Sequence, residues 1–219
     1  MVSRENIFKI KLAGFVVFSM LLTLPILCKA QYRPSLFFRE DWKEIPPAIP
    51  VTQEHVANAN LILGLYGAGK DSIKKSHHTH PEDDPFYLWS GLCKANWAVT
   101  LKHKKYFADM SGFAKIKWRT KQSGFRNLRI LLKLADGTWL VSDQCDDASK
   151  DWRVREFNIQ DIHWYAFNPE LMSETVPVEN PGLAKVDEIG FTDLMPGGQS
   201  DACSRVDWLE VYAKLIPRK

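Results

Sequence analysis

Residues 114–121, AKIKWRTK, alternate without a break: Ile116 and Trp118 are interleaved with Lys115, Lys117, Arg119 and Lys121. A period of two puts alternate side chains on opposite faces of an extended chain, so this segment reads as a strand with one apolar and one cationic face. The next segment, NLRILLKL (127–134), groups Leu128, Ile130, Leu132 and Leu134. The dipeptide Asp136-Gly137 then turns the chain into TWLVSD (138–143), a hairpin signature. Further short strands are expected at 35–42, 60–67, 86–91, 96–103, 152–159, 162–167, 186–193 and 206–214. No segment carries a long 3.6-residue period with caps. About ten short strands set off by turns predict an all-β sandwich or barrel. KEIPPAIPVTQEH (43–55) reads as an irregular, extended arm, and NPELMSETVPVENPG (168–182) as a proline-rich connection.

The first thirty residues fall outside this pattern. Arg4, Lys9 and Lys11 precede an apolar run from Leu12 to Leu27, and Cys28-Lys29-Ala30 places small residues around a cleavage point before Gln31. This is the layout of a secretory signal, too short for a comfortable membrane span. The expected organisation is a signal peptide (1–30), an N-terminal strand with its arm (31–59), and one β-sandwich domain (60–216). The expected location is secreted or periplasmic, with no membrane span in the mature chain. The basic residues and Glu5 of the leader account for the whole +3 charge of the chain. A neutral mature chain lacks the cationic excess that nucleic acid binding needs. Of the remaining cysteines, Cys145 and Cys203 sit in polar, turn-like stretches and are the expected disulfide pair, with Cys93 left as a buried thiol.

The second half carries a family resemblance. MSGFAKIKWRTK, the hairpin after it, DWRVREFNI, KVDEIGFTDLMPGG and VDWLEVYAK follow one another in an order similar to galactose-binding-like jelly rolls, which include many carbohydrate-binding modules. The segment GFTDLMPG resembles one found in secreted bacterial proteins. The likeness spans roughly residues 109–214 and implies a jelly-roll β-sandwich. It also implies a structural Ca²⁺ between the first and last strands, for which Glu40, Asp41 and Asp207 are the candidate ligands.

Four features bear on chemistry. SHHTHPEDDPF (76–86) concentrates His77, His78 and His80 among acids, but it departs from the cupin metal motifs. Ser72 stands where they have glycine, a glutamate is missing, Asp201 takes the place of a histidine, and two prolines break a strand. It is expected to be a loop that rims the sandwich, with His80 as its candidate ligand contact. Eight tryptophans form the second feature. Indole faces stack on the flat C–H faces of sugars, and Trp89, Trp139, Trp152 and Trp164 flank polar turns, whereas Trp97, Trp118 and Trp208 fit core positions. Third, Lys117 and Arg119, with Arg129 and Lys133 on the next strand, would form a ridge suited to carboxylates or sulfates. Fourth, Asp143, Asp146, Asp147, Asp151 and Glu156 could include a carboxylate pair for glycoside hydrolysis, but DQCDDASKD (143–151) reads rather as a loop rich in turn formers, and no G-x-S-x-G elbow is present.

The sequence therefore leads to a non-catalytic carbohydrate-binding protein whose partner is a glycan, an acidic one where the cationic ridge takes part; the alternative for the ridge is a solvated face neutralised by acids on adjacent strands, which the neutral net charge favours. Trp89, Trp139 and Trp164 are the expected stacking residues, and Lys117, Arg119, Arg129, Lys133, Asp143 and His80 the polar contacts. A glycoside hydrolase or polysaccharide lyase on the same scaffold is the alternative. A cell-envelope scaffold or adhesion protein without a sugar site is the third reading.

Overall fold

The computed structural model describes residues 33–92, 94–195 and 201–218. The expected signal peptide lies outside these residues, as do Cys93 and 196–200. Residues from Arg33 onward form one compact unit. Among the described residues fifteen strands build it: β1 Leu36–Glu40, β2 Leu61–Tyr66, β3 Lys74–Ser76, β4 Tyr87–Trp89 and β5 Trp97–His103 come first. Then follow β6 Tyr106–Asp109, β7 Lys115–Gln122, β8 Leu128–Leu134, β9 Trp139–Asp146 and β10 Arg153–Asn158. β11 Trp164–Asn168, β12 Ser173–Val178, β13 Val186–Asp193, β14 Ser204–Tyr212 and β15 Lys214–Pro217 complete the series.

Two antiparallel sheets face each other in a jelly-roll sandwich. The six-stranded sheet runs β10-β7-β14-β4-β3, with β1 also paired to β14. The other has nine strands in the order β12-β11-β9-β8-β13-β5-β2, and β6 and β15 extend it beside β13. The chain crosses between sheets from β7 to β8, from β9 to β10 and back to β11, and from β13 to β14. Among the described residues, no helix is long and apolar enough to cross a membrane.

The alternation of β7 holds along its full length. Ile116, Trp118, Thr120 and Gln122 are fully buried, while Lys115, Lys117, Arg119 and Lys121 face outward. Trp118 packs edge-on against Phe157 of β10 at 5.0 Å and Phe191 of β13 at 6.3 Å, joining both sheets in one core. Burying each such side chain contributes about 1.5–3 kcal/mol. A polar clamp reinforces this contact. The fully buried carboxylate of Asp146, at the end of β9, accepts from Trp118 Nε1 at 3.0 Å, from Thr120 Oγ1, and from Arg153 Nε at 3.0 Å.

Several expectations are corrected. The connection 168–182 contains β12, and β3, β6 and β15 are additional strands. Cys145 and Cys203 are free thiols: Cys145 belongs to β9 of the nine-stranded sheet, and Cys203 leads into β14 of the other. Arg129 and Lys133 do not extend the β7 ridge. β7 pairs with β10 and β14, whereas β8 pairs with β9 and β13, so the two strands lie in opposite sheets.

A candidate aromatic and cationic binding face

The outer face of the six-stranded sheet collects half-exposed aromatic rings and charged side chains. β7 contributes Lys115, Lys117, Arg119 and Lys121. β14 contributes Arg205, Trp208, Glu210 and Tyr212, and β1 contributes Arg39 opposite Glu210. Trp89 of β4 stands opposite both Arg205 and Lys74. Trp208 reaches this face through a bulge. The register of β14 against β7 shifts between Val206 and Trp208, so Val206 stays in the core and Trp208 turns outward beside Arg119.

Each ring carries a cation. The Arg39 guanidinium lies 4.5 Å from the Trp208 ring centre, and that of Arg119 lies 5.4 Å from Trp152. Lys115 stands 4.9 Å from Tyr212, and Lys74 5.6 Å from Trp89. Acids hold the cations in place: Arg39 pairs with Glu210 at 2.6 Å and with Asp41 at 2.6 Å. Arg119 pairs with Asp207 at 2.6 Å, and Lys115 and Lys117 share Glu156 at 3.3 Å. Burial raises the Asp207 carboxyl above its usual range, even though Arg119 pulls it down.

At one end of this face lies a hollow of about 480 Å³ between Arg39, Asp41, Arg119, Asp207, Trp208 and the loop 77–86. His77, Glu82, Asp83, Asp84, Pro85 and Phe86 form its loop wall, and Glu44 of the arm adds a further carboxylate; His77 stacks on Phe86 at 4.0 Å, and its Nδ1 approaches the Asp84 carbonyl at 3.0 Å. His78 Nδ1 lies 2.9 Å from the Asp84 carboxylate, and His80 is exposed on the loop. The histidine stretch thus rims the sandwich, and His77 rather than His78 or His80 lines the hollow. At the other end, Arg33, Lys115, Glu156 and Tyr212 line a second hollow of about 390 Å³.

Of the residues singled out in the sequence, Lys117, Arg119 and Trp89 meet on this face. Trp139 and Trp164 do not. Trp139 is 8% exposed, beneath Tyr66 and Phe167 in a small cluster that Met172 closes over the nine-stranded sheet. Trp164 is 3% exposed and belongs to the inter-sheet core. Trp164 borders a hollow of about 570 Å³ beside His163 and Pro177, but little of either indole is accessible. Arg129 and Asp143 line another hollow, of about 420 Å³, on the opposite sheet. There Arg129 is tied to Glu174 at 2.6 Å, and Asp143 receives the His163 backbone N–H at 2.9 Å. Lys133 pairs with Glu188 at 3.0 Å. Arg39 carries no distinguishing signal in the sequence, and Trp208, whose phase also fits a core position, lies on the surface.

The three acids expected to hold calcium are not assembled as a ligand set. Glu40 is fully buried, and its carboxylate accepts the backbone N–H groups of Trp42 at 2.9 Å, Ala57 at 2.6 Å and Asn58 at 2.9 Å. Asp41 and Asp207 do share the hollow, each with an arginine as its partner. Among the described residues, no group of three His, Cys, Asp or Glu side chains could hold a metal ion.

No protein-family model matches this chain, and no curated protein matches it, so the resemblance of the GFTDLMPG segment (190–197) has no support from them. Among solved structures, the chain is similar to the family 11 carbohydrate-binding module of cellulosomal cellulase Lic26A-Cel5E of Clostridium thermocellum. The identity is 13% and the TM-score 0.44, over 78% of this chain and 97% of that one. The same family's module in complex with a β-1,3-1,4-mixed-linked tetrasaccharide gives 15% identity and a TM-score of 0.45, over 79% and 99%. An exo-β-agarase gives 8% and 0.42, over 74% of this chain and 24% of the agarase.

Proposed function

We propose that this chain is a secreted or periplasmic, non-catalytic glycan-binding protein that takes an acidic glycan on the outer face of its six-stranded sheet. The observation that carries the reading is the meeting of Trp89, Trp152, Trp208 and Tyr212 with Arg39, Lys117, Arg119 and Lys121 on one face. Indole and phenol rings offer apolar faces to sugar C–H groups, and Lys117, Lys121 and the edge of Arg119 not turned to Asp207 offer donors to carboxylate or sulfate, while Arg39 directs Nε, Nη1 and Nη2 to Asp41 and Glu210. The arginines are already pinned by Asp41, Glu210 and Asp207. They are therefore oriented before a ligand arrives, which lowers the ordering cost of binding. No bound metal takes part in this reading.

A glycan array of neutral, uronic and sulfated chains, run with and without a chelator, tests it. Trp208→Ala is expected to weaken binding at least about tenfold, equivalent to about 1.4 kcal/mol. The double variant Lys117→Ala/Lys121→Ala is expected to weaken acidic glycans selectively, and added salt should mimic it. Binding to no glycan, or unchanged binding by Trp208→Ala and Trp152→Ala, would overturn the proposal. One observation favours the alternative of a glycoside hydrolase: Asp207, with its raised pKa, shares a hollow with a second carboxylate, Asp41. That reading requires release of reducing sugar that Asp207→Asn abolishes.

A further inference from the structure

The end of the sandwich where β7 stops and β8 starts holds buried polar groups with no hydrogen-bond partner among the described residues. Gln122, the last residue of β7, faces inward and is fully buried, and neither Oε1 nor Nε2 of its amide makes a hydrogen bond. Its cross-strand neighbour Ser204 opens β14 on the same face. It is 2% exposed, and its Oγ is likewise unpartnered. From the facing sheet, Trp97 opens β5 with its indole in the inter-sheet core, and its Nε1 is buried in the same condition.

These groups belong to one place. Trp97 stands opposite Asp193, the last residue of β13, and Asp193 stands opposite Leu128, the first of β8. Arg126, in the turn between β7 and β8, ties the end together. Its Nε donates to the Ala202 carbonyl at 3.2 Å, and its Nη1 to the Met195 carbonyl at 3.0 Å. The same Nη1 reaches the buried Asp193 carboxylate at 3.4 Å.

A buried polar group without a partner costs about 1–3 kcal/mol, and native interiors keep very few. Here two donors (Gln122 Nε2 and Trp97 Nε1), one acceptor (Gln122 Oε1) and a hydroxyl that does either lie at the same end of the sandwich. An apolar filler would leave all of them unpaired. The occupant must donate and accept within a small volume and find two to four polar partners, which are the requirements of a buried water. We propose that this end of the sandwich is an internal water-binding site, with ordered water held between Gln122, Ser204 and Trp97.

Oxygen-17 magnetic relaxation dispersion on the full chain tests this, because it reads only water that exchanges slowly from the interior. The wild type is expected to show a dispersion. Gln122→Leu is expected to lose at least the contribution of a single water molecule. Ser204→Ala, a smaller change that guards against a variant that fails to fold, is expected to lose part of it. High-resolution crystals of the wild type should place water within hydrogen-bond distance of the Gln122 amide. Equal dispersion in the wild type and the folded variants would overturn the proposal, as would density for the Gln122 amide bonded only to protein groups.

Discussion

Replacing Glu40 with alanine separates two uses of a buried carboxylate. In the structure it collects three backbone N–H groups where β1 hands over to the arm. Trp42, which donates one of them, is buried at 1% exposure, whereas Ala57 is exposed and Asn58 half-buried. Removing the carboxylate therefore strands one buried donor, at about 1–3 kcal/mol, while water can reach the other two. Relief of burying the charge works the other way, and burial does raise the Glu40 pKa. The net loss comes to about 1 kcal/mol. For a domain of this size that lowers Tm by roughly 2–4 °C. Glu40→Gln, which keeps an acceptor, is expected to fall between the two. Scanning calorimetry at neutral pH, with and without a chelator, measures it. A Tm within about a degree of wild type for Glu40→Ala would refute the backbone role. A wild-type Tm that drops on chelation as far as the variant's would give the carboxylate back to a cation.

Two further outcomes follow from buried charges. Asp146→Ala strands Trp118 Nε1 and Thr120 Oγ1 and leaves Arg153 without its inner partner, so chemical denaturation should register a loss of about 3–5 kcal/mol. Lys75 is fully buried, its ammonium 4.2 Å from the Phe86 ring, and burial lowers its pKa from 10.5 to about 8. Between about pH 8 and 10.5 the unfolded chain holds a proton that the folded chain has released, so wild-type stability gains with rising pH across that window. Lys75→Met lacks this gain, and its Tm advantage over wild type should shrink as pH climbs; a constant gap would contradict the argument.

The legible part of the fold lies where alternation is long. β7 carries eight residues of it, and the expected strand at 114–121 differs from the observed one by a single position at each end. β3 and β15 have three and four residues with lysine or proline among them, too few for a period to declare itself. Sheet membership was illegible for a different reason: strands consecutive in sequence can pair or cross, and β7 to β8 crosses. The tryptophans show the same limit at side-chain scale. Val206 and Trp208 share a phase in the sequence, but the bulge between them sends one to the core and the other to the surface. Trp139 sits on an outward position of its strand and is nonetheless buried, because Met172 and Phe167 fold over it. Lys117 and Arg119 were legible as surface cations, since their phase is set by the strand that holds them.

The phase of β7 also divides the labour of mutation. Residues 116, 118, 120 and 122 hold the sandwich together, while 115, 117, 119 and 121 meet whatever approaches it. Substitutions at 115, 117 and 121 can redraw charge, reach and hydrogen-bonding pattern across the centre of the face without disturbing a core contact, whereas Arg119 also answers the buried Asp207 carboxylate. A lineage built on this strand can change what it recognises step by step at those three positions while its stability stays level, and a library randomised at those three codons is the place to look for altered selectivity.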